Sequence, residues 1–439
     1  MYKSLAIIFL IFSISCQRQT VVTSVKTNDD FLLDQVQKDC FNYMWLGGES
    51  LSGGARERIH TDGDYPDNDQ DVVTSGGTGF GIMALLVGIE RKFISREAGV
   101  ERLIKLVNWL EQADRYHGVW SHWMYANGKT KSFSKFDDGG DLVETAYLAQ
   151  GLIAAREYFK KGNEKEIALA NKMDVLWKGI DWNFYTKGGE KVMYWHWSPN
   201  HGWKMNFAVK GYNECLIMYV LGAASPTHPI DPAAYHEGYM RGGAVVSDAK
   251  LYGIPSILDH FDSDDKVVGP LFWAHYSYLG LDPRNLKDKY ADFWQVNRNH
   301  ALIHYQHSVI NPYEYEGYSD KCWGLTSSYS TVGYAGHNPQ EDLGVISPTA
   351  ALSSFPYTPE ESMKFLKFLY NEQQDKIGIY GPYDAFSFQS KWMKPHYLAI
   401  DQLPIVVMIE NHRSGLLWNL FMSAPEVKKG LQSLGFSKL

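Results

Sequence analysis

The sequence predicts an all-α fold: a single-domain (α/α)6 toroid, in which six inner helices alternate with six outer ones. Three observations predict it. Six segments are apolar nearly all round, and each follows a glycine-rich or acidic loop. The segments between them have one polar face, and convincing strands are scarce. Helices that are hydrophobic on every side belong in a protein interior, whereas one-faced helices belong at its surface.

The predicted elements alternate along the whole chain. An amphipathic helix is predicted from Asp29 to about Trp45, where the folded domain begins. The predicted inner helices open near Gly79, Asp141, Asn213, Pro270, Pro348 and Asp401. The predicted outer helices span about 96–114, 164–180, 232–241, 289–307 and 359–372, and the last begins near 425. Short strands are predicted at 194–197 and 245–247.

The composition is that of a large globular protein rich in aromatic side chains. Of its 439 residues, 45% are hydrophobic and 21% are charged, so one domain over 29–439 can bury an ample core. The net charge of -8 and the absence of any basic run exclude a nucleic-acid partner. The 14 Trp, 28 Tyr and 21 Phe offer flat apolar faces on which sugar rings can stack.

The first residues have the pattern of an export signal. Residues 1–15 read as a signal peptide, because one charge, Lys3, precedes an apolar run over 5–14 that is too short to span a bilayer. Residues 13–16 resemble a bacterial lipobox, with Ser in place of the usual Leu. This predicts lipidation at Cys16, a tether over 16–28, and a periplasmic or outer-membrane-anchored lipoprotein of a Gram-negative bacterium. The alternative is a plain secretory signal cleaved nearby.

No metal or cofactor is predicted. Cys40, Cys215 and Cys322 are odd in number and widely spaced, which is typical neither of a disulfide framework nor of a metal site. The acid-rich loop 62–71 lacks the Gly at the sixth position and the Glu at the twelfth of an EF-hand loop. The glycines of 75–81 follow no strand, so close packing or access to a site explains them better than a phosphate loop.

A run of acids leads into the second buried helix. These acids are Asp137, Asp138, Asp141 and Glu144. Asp141 and Glu144 have the spacing of a capping box, which leaves Asp137 and Asp138 unexplained. Carboxyl groups held close together repel when ionised, so one pKa rises. One group can then act as an acid while another stays ionised as a base.

Two more acids open inner helices. Glu214 begins the third and Asp401 the sixth, positions that first-turn and N-cap acids also occupy. In a toroid the N-termini of all inner helices meet at one rim, so these carboxyl groups are expected to converge with the first cluster. The candidate substrate-binding residues on this rim are Asp138, Trp195, Trp197, Trp203, Tyr334, His337 and Trp392.

Several long motifs resemble glycoside hydrolase family 144. They are Asp137-Asp-Gly-Gly-Asp-Leu-Val-Glu-Thr-Ala, His196-Trp-Ser-Pro-Asn-His-Gly-Trp and Gly211-Tyr-Asn-Glu, with further matches at 225–230, 347–359, 399–402 and 409–413. The resemblance runs from about Gly76 to Met422, and its later half is the so-called glucoamylase-like domain. Leu403 stands where the family pattern has Gly, and His412 where it has Tyr.

The resemblance implies an (α/α)6 fold and hydrolysis of β-1,2-glucan with inversion, either in endo fashion or by release of sophorose. A glucan or glucooligosaccharide is the implied partner, and a monomer is expected. The acids that the resemblance implicates are Asp137, Asp141, Glu144, Glu214 and Asp401.

Inversion needs an acid and a base about 6.5–9.5 Å apart. Acids on one helical turn are only about 5–6 Å apart at Cβ, so the two partners should come from different helices. Glu214 is the expected acid, since an apolar helix and Tyr212 should desolvate it. Asp401 and the Asp137/Asp141 cluster compete for the base, with the cluster favoured. Glu144 would orient or bind sugar hydroxyls.

Two rival functions remain open. A polysaccharide lyase could use His300, His304, Tyr305 and His307 for proton abstraction, although a lyase acting on uronic acids would need a basic cleft. This segment is instead interpreted as an outer helix with a polar face. A non-catalytic glycan-binding lipoprotein would need the aromatic residues but no carboxyl groups.

Overall fold

The computed structural model describes residues 28–66, 69–261 and 266–437. The predicted signal peptide, Cys16 and nearly all of the tether lie outside these residues. The described chain is mostly helical, with many short strands. Among the described helices, none combines the length and the apolar character that a membrane crossing requires.

The helices fall close to the predicted segments. They are α1 Asn28–Trp45, α2 Ser75–Glu90, α3 Arg96–Gln112, α4 Leu142–Phe159, α5 Glu164–Lys178, α6 Leu216–Ala224, α7 Phe293–Ile310, α8 Pro348–Leu352, α9 Pro359–Glu372, α10 Ala399–Arg413, α11 Leu416–Ser423 and α12 Pro425–Ser433. Nearly every residue of α2, α4 and α10 is buried, as predicted for inner helices.

The strands are short and lie in small antiparallel sheets. They are β1 Arg58–His60, β2 Val73–Thr74, β3 Arg115–Tyr116, β4 Val119–Trp120, β5 Trp123–Met124, β6 Thr130–Lys131, β7 Gly140–Asp141, β8 His196–Trp197, β9 Lys250–Leu251, β10 Ile254–Pro255, β11 Ser327–Ser330, β12 Gly333–Gly336, β13 Ile377–Gly378, β14 Gly381–Pro382, β15 Phe386–Ser387, β16 Trp392–Met393 and β17 His396–Leu398. Two pairings matter for the site: β1 with β17, and β7 with β8.

The core is built around close contact between α2 and α4. A methyl group added at Gly79 would overlap the carbonyl of Tyr147, and one at Gly151 would overlap the carbonyl of Gly79. The two backbones can therefore touch only because both positions lack a Cβ. The glycines that open α2 serve helix packing, as the sequence indicated.

Several predicted elements differ in the structure. The inner helix near Pro270 is wrong as an α-helix: 271–274 and 276–278 form short 3₁₀ turns. Here the N–H groups of Leu271 and Phe272 bond Leu325 and Thr326, which lie far along the chain. The outer helix at 232–241 becomes a π-helical turn over Ala234–Tyr239. The strand at 245–247 is reduced to one isolated bridge.

Cys40, Cys215 and Cys322 are buried and free, in line with the prediction that they form no disulfide framework. The interpretation of 300–307 as a polar outer face is wrong, because His300, His304 and His307 are buried. His300 and His304 both donate through Nε2 to the carbonyl of Gly269, at 2.7 and 2.9 Å. These imidazoles bind backbone, and they do not line the cavity described below.

Candidate active site

A cavity of about 350 Å³ lies at the N-terminal ends of α4, α6 and α10. Three carboxyl groups line it, those of Glu57, Glu144 and Glu214. The other lining residues are mostly aromatic: Arg58, His122, Trp123, Phe133, Tyr147, Trp195, Phe272, Tyr276, Tyr329, Tyr334, Leu398 and Ile400. A concave aromatic site with a few polar groups has the size and chemistry of a small-ligand pocket.

Asp141 is a fully bonded carboxylate at the start of α4. As the predicted N-cap, it accepts the N–H of Glu144 through one oxygen at 2.9 Å. Its other oxygen accepts from His122 Nδ1 and Trp195 Nε1, both at 3.0 Å, and lies 3.4 Å from His196 Nε2. Burial opposes its charge, but the hydrogen bonds from the two histidines hold the pKa of Asp141 well below its usual range. Asp141 stays ionised, with its oxygens occupied by protein donors.

Two histidines carry the positive charge that balances these acids. Burial opposes protonation of His122, but the charges of Glu144 and Asp141 raise its pKa to about 10. Burial also opposes protonation of His196, but hydrogen bonds to Asp137 and Asp141 raise its pKa to about 9. The Nε2 of His196 lies 3.0 Å from Asp137 Oδ2. Asp137 is therefore paired with an imidazolium and does not line the cavity.

Glu144 reaches the cavity from the first turn of α4. Burial raises its pKa to about 7, with help from the charges of Asp141 and Glu57 and against the effect of His122. Its Oε2 accepts the N–H of Gly76 in α2 at 3.0 Å. Only the Asp141 half of the predicted capping box forms, because Glu144 turns toward α2 instead of its own N-cap.

Glu214 lies in the turn ahead of α6, with 9% of its surface exposed. Burial raises its pKa to about 7, with a smaller contribution from Asp141. The expected desolvation of this group is thus confirmed. The hydroxyls of Tyr147 and Ser277 both donate to the Glu214 carbonyl and fix its backbone. A carboxyl group that keeps its proton near neutral pH suits a general acid.

Asp401, in the first turn of α10, is 1% exposed and lies outside the cavity lining. Its electrostatic neighbour is the carboxyl group of Asp384, which is 3% exposed. Burial, followed by the neighbouring Asp384, raises the pKa of Asp401 well above its usual range. Leu398 and Ile400, which precede Asp401 in the chain, line the cavity.

Two groups of described residues are close enough to hold a metal ion: His60, Asp62 and His396, and His122, Asp137 and Asp141. In both, protein partners already occupy the ligand atoms. His396 Nε2 is 3.0 Å from Asp62, and His60 bonds Asp64 and Tyr329. In the second group, His122 bonds Asp141 at 3.0 Å, and His196 lies 3.0 Å from Asp137.

The comparisons with known proteins agree on one family. The model described as "Putative glucoamylase" matches residues 206–425. The endo-β-1,2-glucanase of Chitinophaga pinensis, solved with sophorotriose and glucose, is 56% identical with a TM-score of 0.92, over 94% of this chain and 99% of that one. An exo-β-1,2-glucooligosaccharide sophorohydrolase of Parabacteroides distasonis is 40% identical over 453 residues, which is 99% of this chain.

The chain belongs to glycoside hydrolase family 144. It spans 62% of the length of the Parabacteroides relative. A more distant likeness extends to an endo-β-1,2-glucanase of Talaromyces funiculosus, with a TM-score of 0.65, 12% identity and coverage of 94% of this chain and 91% of that one. At that identity the likeness concerns the fold alone.

In this family 144 protein, two of the predicted binding residues line the cavity, Trp195 and Tyr334. The other five do not line it. Asp138 accepts a hydrogen bond from Asn200 Nδ2 at 2.7 Å, His337 is 1% exposed, and Trp392 pairs with Ser387 in the β15–β16 sheet. Trp197 packs on His117 and Phe184, and Trp203 packs on Phe184 and Tyr185.

Sequence reasoning missed Glu57 and Arg58. No motif singles them out, because they lie in a stretch without helical periodicity. They reach the cavity through tertiary pairing: Arg58 opens β1 opposite Leu398 of β17, and the N–H of Ala399 bonds the carbonyl of Glu57 at 3.0 Å. An isolated Glu-Arg pair in a sequence carries no signal for such a contact.

Proposed function

We propose that this protein hydrolyses β-1,2-glucan. The observation that supports it best is the cavity itself, in which Glu144 and Glu214 face aromatic walls and both have a pKa of about 7. The relatives' names add β-1,2-glucan as the substrate. A reducing-sugar assay over β-1,2-, β-1,3- and α-1,4-glucans should give product from the β-1,2 polymer alone. Equal activity on the α-1,4 polymer would contradict the proposal.

The cleavage is endo. The Chitinophaga endo-enzyme is 56% identical and matched over 99% of its length, whereas the exo-acting Parabacteroides relative is 40% identical and matched over 62%. Early products from long β-1,2-glucan should therefore include a range of oligosaccharides, with a rapid fall in polymer length. Release of sophorose alone from the first time point would indicate exo action instead.

Glu214 is the general acid of an inverting reaction. It is buried, holds its proton near neutral pH and faces the cavity. Removal of a proton-transfer group costs about 10²–10⁴ in rate. Glu214→Gln should lose kcat by this factor and keep its KM, whereas Glu237→Gln, at an exposed ion pair with Lys191, should not change. Near-normal turnover of Glu214→Gln, or a product with retained anomeric configuration, would refute this assignment.

The helices form an (α/α)6 toroid. α2 packs against α4 and α10, α4 against α6, and α10 against α8, as neighbours in an inner ring would. The 3₁₀ turns take the remaining place, since residues 276–278 contact α6 and the Tyr357 hydroxyl donates to the Ala274 carbonyl at 2.9 Å. An experimental structure with these helices in an open stack would contradict the ring. The protein acts as a monomer, which light scattering can check.

The protein is a periplasmic or outer-membrane lipoprotein anchored through Cys16. The support is the apolar run over 5–14 that ends at a lipobox-like segment. Cys16→Ala should move the protein from the membrane fraction to the soluble fraction, with its glucanase activity unchanged. A wild-type protein that is already soluble after processing would overturn the proposal.

A further inference from the structure

Glu57 is held rigidly in the cavity wall. It is 7% exposed, and its side chain lines the cavity beside Arg58. Its backbone N–H donates to the Val72 carbonyl at 2.8 Å, and its carbonyl accepts the N–H of Ala399 at 3.0 Å. The backbone that carries this carboxyl group is thus held on both sides, by the loop before β2 and by the first residue of α10.

The acids that the sequence predicted as the general base already contact other protein groups. Asp141 is bonded to the N–H of Glu144 and to three side chains, and Asp137 faces His196. Asp401 lies off the cavity in contact with Asp384. Among the described residues, the carboxyl groups that line the cavity are therefore those of Glu57, Glu144 and Glu214.

Glu57 and Glu144 both line the cavity wall. After burial and the charge of Asp141, the charge of Glu57 raises the pKa of Glu144. Its pKa of about 7 leaves Glu144 partly protonated at neutral pH, and its Oε2 already accepts the N–H of Gly76.

Glu214 reaches the cavity from a different element of the fold. It precedes α6, and burial and Asp141 are what raise its pKa. Tyr276 also lines the cavity, and the charges of Glu144 and Glu214 both add to the effect of burial in raising its pKa. An acid and a base on separate elements, with a sugar and a water between them, is the arrangement that inversion requires.

Resting on the proposed function, we propose that Glu57 is the general base of the reaction. The water oxygen attacks the anomeric carbon while its proton passes to the Glu57 carboxylate. The bond from the anomeric carbon to the glycosidic oxygen breaks, and that oxygen takes the proton of Glu214. One water is consumed, the new reducing end has inverted configuration, and exchange with solvent returns both carboxyl groups to their starting states.

A glycosyl fluoride separates the base from the acid. Fluoride leaves without protonation, so hydrolysis of β-sophorosyl fluoride needs the base and not the acid. Glu57→Gln should lose about 10²–10⁴ of kcat on both β-1,2-glucan and the fluoride. Glu214→Gln should lose activity on the polymer and keep most of it on the fluoride. Added azide should restore turnover to Glu57→Gln alone and yield a glycosyl azide of inverted configuration, because the small anion attacks without a base.

Separate control measurements test whether each variant still folds and still binds sugar. Each variant is compared in Tm and in sophorose affinity by calorimetry with Glu237→Gln, an exposed carboxyl group. Glu57→Asp keeps the carboxylate but shortens it, so it should be more active than Glu57→Gln even if both are less stable. Fluoride hydrolysis retained by Glu57→Gln, or lost in Glu144→Gln and rescued there by azide, would overturn the assignment to Glu57. Wild-type enzyme inactive on β-1,2-glucan would instead overturn the proposed function, and this inference with it.

Discussion

At the scale of single residues, Asp401 and Asp384 are two buried carboxyl groups that cannot both be ionised. Both are nearly inaccessible, and of their four oxygens only Asp384 Oδ2 accepts a backbone donor, the N–H of Tyr329 at 2.7 Å. Two buried carboxylates in contact without a cation repel strongly, so one proton between them is required. The raised pKa of Asp401 places that proton on Asp401, and the bond from Tyr329 to Asp384 ties Asp384 to the hairpin that carries Tyr334.

This pair makes a prediction about stability and pH. The raised pKa of Asp401 means that the folded protein keeps a proton which the unfolded chain releases above about pH 4. The free energy of unfolding should therefore fall as the pH rises above about 4. Asp401→Asn removes the titrating group but can still donate to Asp384, so urea unfolding of this variant should show a weaker decline. Exposed Asp248→Asn is the control, and curves for Asp401→Asn and wild type that stay parallel would contradict the prediction.

At the scale of elements, the contact between α2 and α4 positions the Glu144 carboxyl group in the cavity. The same face of α2 that meets α4 through Gly79 also presents the N–H of Gly76 to Glu144. A methyl group on Gly76 would overlap the Glu144 carboxyl group itself. Close helix packing and the placement of Glu144 are thus one feature of the fold.

Gly79→Ala tests this coupling. The added methyl group meets backbone of Tyr147 and Leu148, which cannot rotate away, so overpacking should cost about 1–3 kcal/mol or more of unfolding free energy. A shift of α2 should also lower kcat by moving the donor to Glu144. Gly179→Ala is the matched control, since its new Cβ would make ordinary contacts beginning at 3.4 Å. Equal denaturation midpoints for the two variants would show that α2 and α4 are not tightly packed.

At the scale of the whole molecule, two pairs of histidines with opposite pKa shifts determine the pH at which the protein is most stable. Burial lowers the pKa of His275 to about 3 and of His300 to about 4. His122 and His196 have raised values of about 10 and 9, because the acids around them outweigh burial. An unfolded histidine titrates near pH 6.5. His275 and His300 therefore lower the free energy of unfolding as the pH falls below 6.5. The stabilising contribution of His122 and His196 is lost as the pH rises from 6.5 through 9 to 10.

The combined histidine contribution should therefore be greatest near pH 6.5. His300→Gln keeps a donor for the Gly269 carbonyl but cannot be protonated, so it should flatten the decline between pH 6.5 and 4 by up to about 1.4 kcal/mol per pH unit. Exposed His228→Gln should leave that decline unchanged. Urea titrations at a series of pH values measure both, and an acid limb unaffected by His300→Gln would contradict the role given to burial.

The helices were largely predictable from the sequence because their signals are local. Apolar residues on every side of α2, α4 and α10 can be stable only in an interior, and the one-faced α3, α5 and α9 only at a surface. The N-cap at Asp141 and the burial of Glu214 follow from the same short-range patterns. The long motifs likewise indicate the family, because each is a contiguous run of residues in the chain.

Only the tertiary structure decided which of the acids face the cavity and which are paired with other protein groups. Whether Asp137 and Asp141 face a cavity or an imidazolium depends on His122 and His196, which approach through β-pairing and loops distant along the chain. Glu57 enters the cavity because β1 meets β17, a contact between the two ends of the chain that local periodicity cannot encode. Charge state is a property of such assembled surroundings, since burial and neighbouring charges, and not residue type, set the pKa of each carboxyl group.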